Sequence, residues 1–353
     1  MKVNYHTHST WCDGRDTPEE MIQAALARGF AEIGFSSHAR LPDVVEGNLT
    51  PERAVRYARE IRALAARYAD RIRVRLGVEA DYIPGDTAPD RARYAHLGLD
   101  YLIGSIHWVV APDGAHVPVD HTPELLLAGI RDHFGGDVAQ YLRAYFAQNR
   151  AMAATCDFDV IGHPDLVRKF NGRLRYFDET APWYLDELRR TADAFAASGK
   201  VVEVNTGGIS RGWMEDAYPS PAFRALLRAR GVRFVLSSDA HAAEAIDCAF
   251  DRFGNAEAFV RFPFTDARRP ERNVPAPPSA RGAETGPSVC STADARTARV
   301  PVGAARRGRR ALVAAPRQRG RFYGIISSHS TQRLHEDETD PAFGDCGLFA
   351  VPS

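Results

Sequence analysis

Nine side chains of metal-ligand type recur in the first 241 residues: His6, His8, Asp13, His38, Glu79, His107, His163, Asp239 and His241. Mixed imidazole and carboxylate donors accept zinc, manganese, iron or cobalt. In His6-Thr7-His8 two imidazoles stand two residues apart. On an extended chain such residues share a face, so both can reach one ion. Taken singly, each of these histidines reads as a hydrogen-bonded core or loop residue. Nine ligand types in succession, each at or just past the end of a short apolar run, read as a metalloenzyme centre.

The runs that must position them are Val3-Asn4-Tyr5, Glu32-Ile33-Gly34-Phe35, residues 74–78, Tyr101-Leu102-Ile103, Asp159-Val160-Ile161 and Phe234-Val235-Leu236, with Val201–Asn205 as a seventh. Short apolar runs bounded by Gly, Asp and Ser read as buried strands. Helical patterns separate them. Thr17-Pro18-Glu19-Glu20 offers an N-cap, a proline at the first helical position and a glutamate three residues after the cap. Thr50-Pro51-Glu52, Thr122-Pro123-Glu124 and Ser220-Pro221 repeat the start, and longer helical patterns cover about 137–155, 179–197 and 220–229. Repeated strand-then-helix units predict an α/β fold with a parallel, barrel-like sheet and right-handed crossovers. In such a barrel the C-terminal strand ends converge on one face, where residues distant in sequence meet. Small residues precede two of the ligand groups, in Ser36-Ser37-His38 and Ser237-Ser238-Asp239-Ala240-His241. Glu79 follows a run of apolar residues, where an unpaired carboxylate is costly, so a cationic partner is expected.

The 353 residues are 44% hydrophobic and 25% charged, ordinary for a soluble globular protein. Basic and acidic residues balance at 45 each, which gives no reason to expect binding to nucleic acid or an anionic membrane. No apolar stretch approaches the roughly 20 residues that span a bilayer. The N-terminus has no apolar signal segment and is read as mature and cytoplasmic. Cys12, Cys156, Cys248, Cys290 and Cys346 form no CxxC pair, which argues against a zinc ribbon or a disulfide framework. The strand-helix pattern stops near residue 265. Residues 266–353 hold 14 Arg and no Lys, and 270–320 mix Pro, Ala, Gly, Arg and Ser without periodicity, which reads as a largely disordered tail. One short strand is expected at 322–326, and the basic block at 306–310 reads as solvated chain.

With these residues in hand, the sequence resembles the PHP (polymerase and histidinol phosphatase) superfamily, and within it the stand-alone histidinol-phosphate phosphatases. HTHSTWCDG (6–14) resembles the first motif; GFSSHA, GVEADYIPG, GSIHWV, VIGHPDLVRKF, EVNTGGISRG and SSDAH resemble the later ones in order. The resemblance covers about residues 1–265. One departure is Gly207, where relatives often carry Ser. The tail has no counterpart.

The resemblance implies a distorted seven-stranded (β/α)7 barrel holding three divalent ions, zinc, manganese or iron. His6, His8, Glu79 and Asp239 would bind one; Glu79, His107 and His163 a second; Asp13, His38 and His241 a third. It also implies a phosphoric monoester hydrolase that converts L-histidinol phosphate to L-histidinol and phosphate. A water bridging two such ions is hydroxide-like near neutral pH and is the expected nucleophile. Arg211, in the loop after Val201–Asn205, is the first candidate for a phosphate clamp, with Arg168 second and Asn205 a further substrate contact. Asp165 could orient a ligand or protonate the leaving alkoxide. The expected partner is a small phosphomonoester, and the oligomeric state is open. Two other readings stay in play: a phosphoesterase acting on nucleotides or other phosphorylated metabolites, and a non-catalytic metal-binding module.

Overall fold

Three Thr-Pro-Glu sequences start three helices in the same way. In the computed structural model, which describes residues 2–41, 47–253 and 259–263, α1 (Pro18–Ala27), α2 (Pro51–Arg67) and α3 (Pro123–His133) follow Thr17, Thr50 and Thr122. Each threonine hydroxyl accepts from the backbone N–H three residues on, at 3.3, 3.3 and 3.2 Å. Caps of this kind contribute about 1 kcal/mol each. Glu20 returns the contact by accepting from Thr17 N–H at 2.8 Å. The remaining helices are α4 (Val138–Thr155), the one-turn α5 (Asn171–Leu174), α6 (Pro182–Ser198), the one-turn α7 (Gly207–Ser210) and α8 (Pro221–Ala229).

The strands are β1 (Lys2–Asn4), β2 (Phe30–Phe35), β3 (Arg73–Asp81), β4 (Tyr101–Ser105), β5 (Trp108–Val110), β6 (His116–Pro118), β7 (Val160–Ile161), β8 (Val201–Asn205) and β9 (Phe234–Ser237). Seven of them form one parallel sheet in the order β1-β2-β3-β4-β7-β8-β9. A parallel bridge between Thr7 and Ala240, with His8 N–H donating to Ala240 O at 2.8 Å, joins the two ends and nearly closes the ring. The fold is a distorted seven-stranded α/β barrel. β5 and β6 form an antiparallel hairpin outside it. His116 lies in β6 and is buried, because the run from His116 to Pro118 pairs with Trp108–Val110.

Two apolar layers hold the barrel. One lies between the strands and the helices and includes Met21, Ile22, Tyr57, Ile61, Phe146, Phe195 and Phe223. The other fills the barrel itself: Val3, Tyr5, Tyr101, Ile103, Val160, Val201 and Val235, with Val260 and Phe262 packed against them. Tyr101 needs room that two glycines supply. A Cβ on Gly34 or Gly77 would lie 2.4 Å from the Tyr101 ring or hydroxyl. The Tyr101 hydroxyl donates toward Tyr5 O and Phe35 O, at 2.5 and 3.1 Å. Large and small residues thus alternate to fill a barrel too narrow to be a pore.

Val260 N–H donates to Phe234 O at 2.8 Å, tying the last described segment to the start of β9. The expected tail at 266–353, with its strand at 322–326 and basic block at 306–310, lies outside the described residues. Cys12, Cys156 and Cys248 are free thiols.

Candidate metal centre

The plug of apolar side chains inside the barrel sets the floor of a polar cluster above it. His6 and His8 follow β1, His38 follows β2, Glu79 lies in β3, His107 follows β4, His163 follows β7, and Asp239 and His241 follow β9. All nine side chains singled out from sequence are brought together here. Glu79 sits inside its strand rather than past its end, because β3 runs on to Asp81.

Glu79 is the hub. Its Oε1 is 3.0 Å from His163 Nε2 and 3.6 Å from His107 Nε2. Its Oε2 is 3.2 Å from His6 Nε2, 3.1 Å from His38 Nδ1 and 3.6 Å from His8 Nε2. Asp239 Oδ1 lies 3.2 Å from His8 Nε2 and 3.6 Å from His6 Nε2. Half-exposed Asp13 closes the outer side, with Oδ2 at 3.2 Å from His241 Nε2 and 3.7 Å from His38 Nε2.

Four sets of ligand-type atoms lie within 4.8 Å of one another: His8, Asp13, His38 and His241; His6, His8 and Asp239; His6, Glu79 and His163; and His38, Glu79 and His107. The fit to cations is chemical as well as geometric. Glu79 Oε2 is fully buried among imidazole nitrogens and accepts no hydrogen bond. A buried carboxylate oxygen of that kind is costly unless a positive charge meets it.

The charges respond to this crowding. Burial draws the His6 and His38 rings down, but Glu203, Glu79 and Asp239 outweigh it for His6, and Asp13 and Glu79 for His38. Both rings end well above the ordinary imidazole range. For His107, burial is likewise outweighed by Asp81 and Glu79, which push the ring up to about 9. Burial, with neighbouring rings, holds His8 and His241 below the usual value. Glu79 and Asp239 stay well below the carboxylate range despite burial, held there chiefly by His6 and His38 for Glu79 and by Arg211 and His6 for Asp239. Without a cation the cluster takes up protons that a metal ion would displace.

A ring of supporting groups, not singled out from sequence, orients these side chains. Glu203 Oε2 lies 2.9 Å from His6 Nδ1, Asp81 Oδ1 lies 2.9 Å from His107 Nδ1, and Ser105 Oγ donates to Glu79 Oε1 at 2.6 Å. Cys12 Sγ lies 3.3 Å from His8 Nδ1. Each of these histidines thereby turns its Nε2 to the cluster. The sequence signal for Glu203 is a carboxylate inside Val201–Asn205, where an apolar residue would be ordinary.

Arg211 reaches the cluster: Nη2 donates to Asp239 Oδ2 at 2.8 Å and Nη1 to Asp239 O at 3.1 Å. A Cβ on Gly207 would lie 2.7 Å from Arg211 Nη2 and 2.8 Å from Asp239 Oδ2, so the glycine clears this corner. Asn205 Nδ2 donates to Glu203 Oε1 at 2.8 Å, while its Oδ1 accepts from Gly207 N–H at 2.8 Å. Arg168 is engaged by Glu179, with Nε to Oε2 at 2.7 Å. Asp165 is fully buried and accepts from Ser220 N–H at 2.7 Å. Lys169 donates to Asp120 Oδ2 at 2.9 Å, on the loop tied to His107 by Val119 N–H to His107 O at 2.9 Å.

The PHP domain family matches residues 4–207. The "Probable histidinol-phosphatase" of Deinococcus radiodurans is 31% identical over 239 residues, which cover 67% of this chain and 85% of the relative. The histidinol-phosphatase of Bacillus subtilis is 24% identical over 268 residues, covering 72% of this chain and 98% of its own length. Among solved structures, a candidate histidinol phosphatase from Listeria monocytogenes superposes with a TM-score of 0.64 at 21% identity, covering 72% of this chain and all of its own. That likeness is one of fold.

Proposed function

The chain belongs to the PHP domain family, and from that premise we propose that it hydrolyses L-histidinol phosphate to L-histidinol and phosphate as a metal-dependent phosphomonoesterase. The observation that carries the reading is the convergence of six imidazoles and two further carboxylates around the buried Glu79. The names of the curated relatives supply the substrate.

In this reading His6, His8, Asp13, His38, Glu79, His107, His163, Asp239 and His241 hold three divalent ions, of zinc, manganese or iron. Such ions lower the pKa of water and offset the charge of a phosphate dianion. Three carboxylates neutralise half the charge of three divalent ions, so the site keeps a net positive field for an anionic substrate. Arg211 offers a planar guanidinium to the phosphoryl oxygens, where a charge-assisted contact strengthens as charge develops. Asp239 holds that guanidinium in place at 2.8 Å. Arg168 and Asn205 stand behind it as the further candidate contacts, and Asp165 as the candidate acid. Burial draws the Asp165 carboxyl above the usual carboxylate range, the direction a proton donor needs. Residues 1–265 carry all of this chemistry. The enzyme works on a small molecule in the cytoplasm; no helix among the described residues is long and apolar enough to cross a membrane.

Phosphate release from L-histidinol phosphate, measured beside nucleotides and sugar phosphates with zinc, manganese or iron supplied, tests the reading. Preferential release from histidinol phosphate is expected. Equal or faster release from nucleotides would reassign the substrate, and no release from any of them would remove the enzymatic reading.

A further inference from the structure

Glu203 is a fully buried carboxylate that serves three donors at once. Its Oε2 lies 2.9 Å from His6 Nδ1. Its Oε1 accepts from His163 N–H and from Asn205 Nδ2, both at 2.8 Å. A carboxylate only accepts, so His6 Nδ1 carries the hydrogen and Nε2 is left to face Glu79 and Asp239. A Cβ on Gly162 would stand 2.3 Å from Ser105 Oγ, so this glycine clears the serine that donates to Glu79 beside the Glu203 carboxylate.

We infer that Glu203 is a positioning residue that fixes the His6 tautomer, and that it does so through the donors on its other oxygen. Asn205 cannot turn, because its Oδ1 accepts from Gly207 N–H at 2.8 Å and its Nδ2 therefore faces Glu203. His163 N–H is backbone and cannot turn either. Two fixed donors on one oxygen have a consequence for the isosteric amide. In Glu203→Gln the carbonyl oxygen must keep the Oε1 place, since an NH2 group there would meet two N–H groups. The amide nitrogen is then forced against His6 Nδ1 and donates to it. That contact requires a bare Nδ1 and puts the hydrogen on Nε2, where the ring can no longer bind an ion. Truncation to alanine removes the brace without imposing the wrong tautomer.

The inference rests on the metal-site part of the proposed function, and its test is kept apart from catalysis. Protein stripped of metal is titrated with zinc against a competing chelator, for the wild type, Glu203→Gln and Glu203→Ala. Thermal unfolding of each stripped protein shows that it is folded. Loss of a group that orients a metal ligand costs about 10- to 100-fold in affinity. Glu203→Gln should show at least that loss at one zinc site and should bind more weakly than Glu203→Ala, although it preserves shape and packing. A purely structural role gives the opposite order, with the isosteric variant the milder one. A 15N-histidine spectrum of the zinc-loaded wild type should show a hydrogen on His6 Nδ1. Zinc binding by the wild type together with a milder Gln variant, or a bare His6 Nδ1, would overturn the inference alone. A wild-type chain that binds no zinc would overturn the metal reading and this inference with it.

Discussion

Replacing Glu79 by Gln removes one negative charge and almost no volume, so its effect isolates electrostatics. Five imidazole nitrogens lie between 3.0 and 3.6 Å from the two carboxylate oxygens. At such distances, with an effective dielectric of about 20, one unit charge attracts another by about 5 kcal/mol. Removing one member of a buried charged set costs about 3–5 kcal/mol, because the others are left unmatched. At about 1.4 kcal/mol per tenfold, that becomes a loss of metal affinity of roughly a hundredfold to a few thousandfold. The amide can still accept from Ser105 Oγ, which sits 2.6 Å from Oε1, so the local packing should survive. The assay is elemental analysis after dialysis, chelator competition, and kcat/KM at saturating metal. Near-normal metal content with a normal rate would refute the placing of Glu79 at the centre of the charge balance.

Three further outcomes follow from the same geometry. His107 is pushed up to about 9 by Asp81 and Glu79 against burial, and His6 and His38 are raised as well. A raised folded value adds stability below the unfolded value of about 6.5 and loses it as pH climbs through the folded one. The metal-free protein should therefore lose melting temperature between about pH 6.5 and 9, and zinc affinity should rise across that window; a flat profile in both would refute the linkage. Arg211→Ala should cost roughly 2–4 kcal/mol of transition-state stabilisation and weaken inhibition by inorganic phosphate, with metal content intact; unchanged kcat/KM and unchanged inhibition would move the clamp elsewhere. A chain ending near residue 264 should fold, bind as many ions and keep its rate, since residues 266–353 offer few large apolar groups to bury; unfolding or inactivity on truncation would move the domain boundary.

The strand runs were legible because parallel strands buried on both faces read as unbroken apolar stretches. The helices were legible because Thr-Pro-Glu states a cap in three residues, and Thr17, Thr50 and Thr122 all cap as expected. What sequence left hidden has a common cause. Glu203 and Asp81 act through one ring nitrogen of another residue, and no local pattern says which nitrogen faces where. The pairing of Tyr101 with Gly34 and Gly77 joins three strands across the barrel, beyond the reach of periodicity. The β5–β6 hairpin was missed because three-residue strands joined through Gly114 carry too little alternation to register.

Tyr101 also governs traffic. Its ring belongs to the apolar plug of the barrel, against which Val260 and Phe262 pack, so among the described residues the cluster is closed on that side. Exchange with solvent is then left to the rim. On the proposed reading, an ion held by Glu79 and His163, which are buried while Asp13 is half-exposed, would be laid down first and withdrawn last. A phosphate resting on Arg211 would act as a stopper over it, so product or inhibitor should slow the stripping of metal by a chelator. Depletion of the enzyme would then depend on how often the site stands empty.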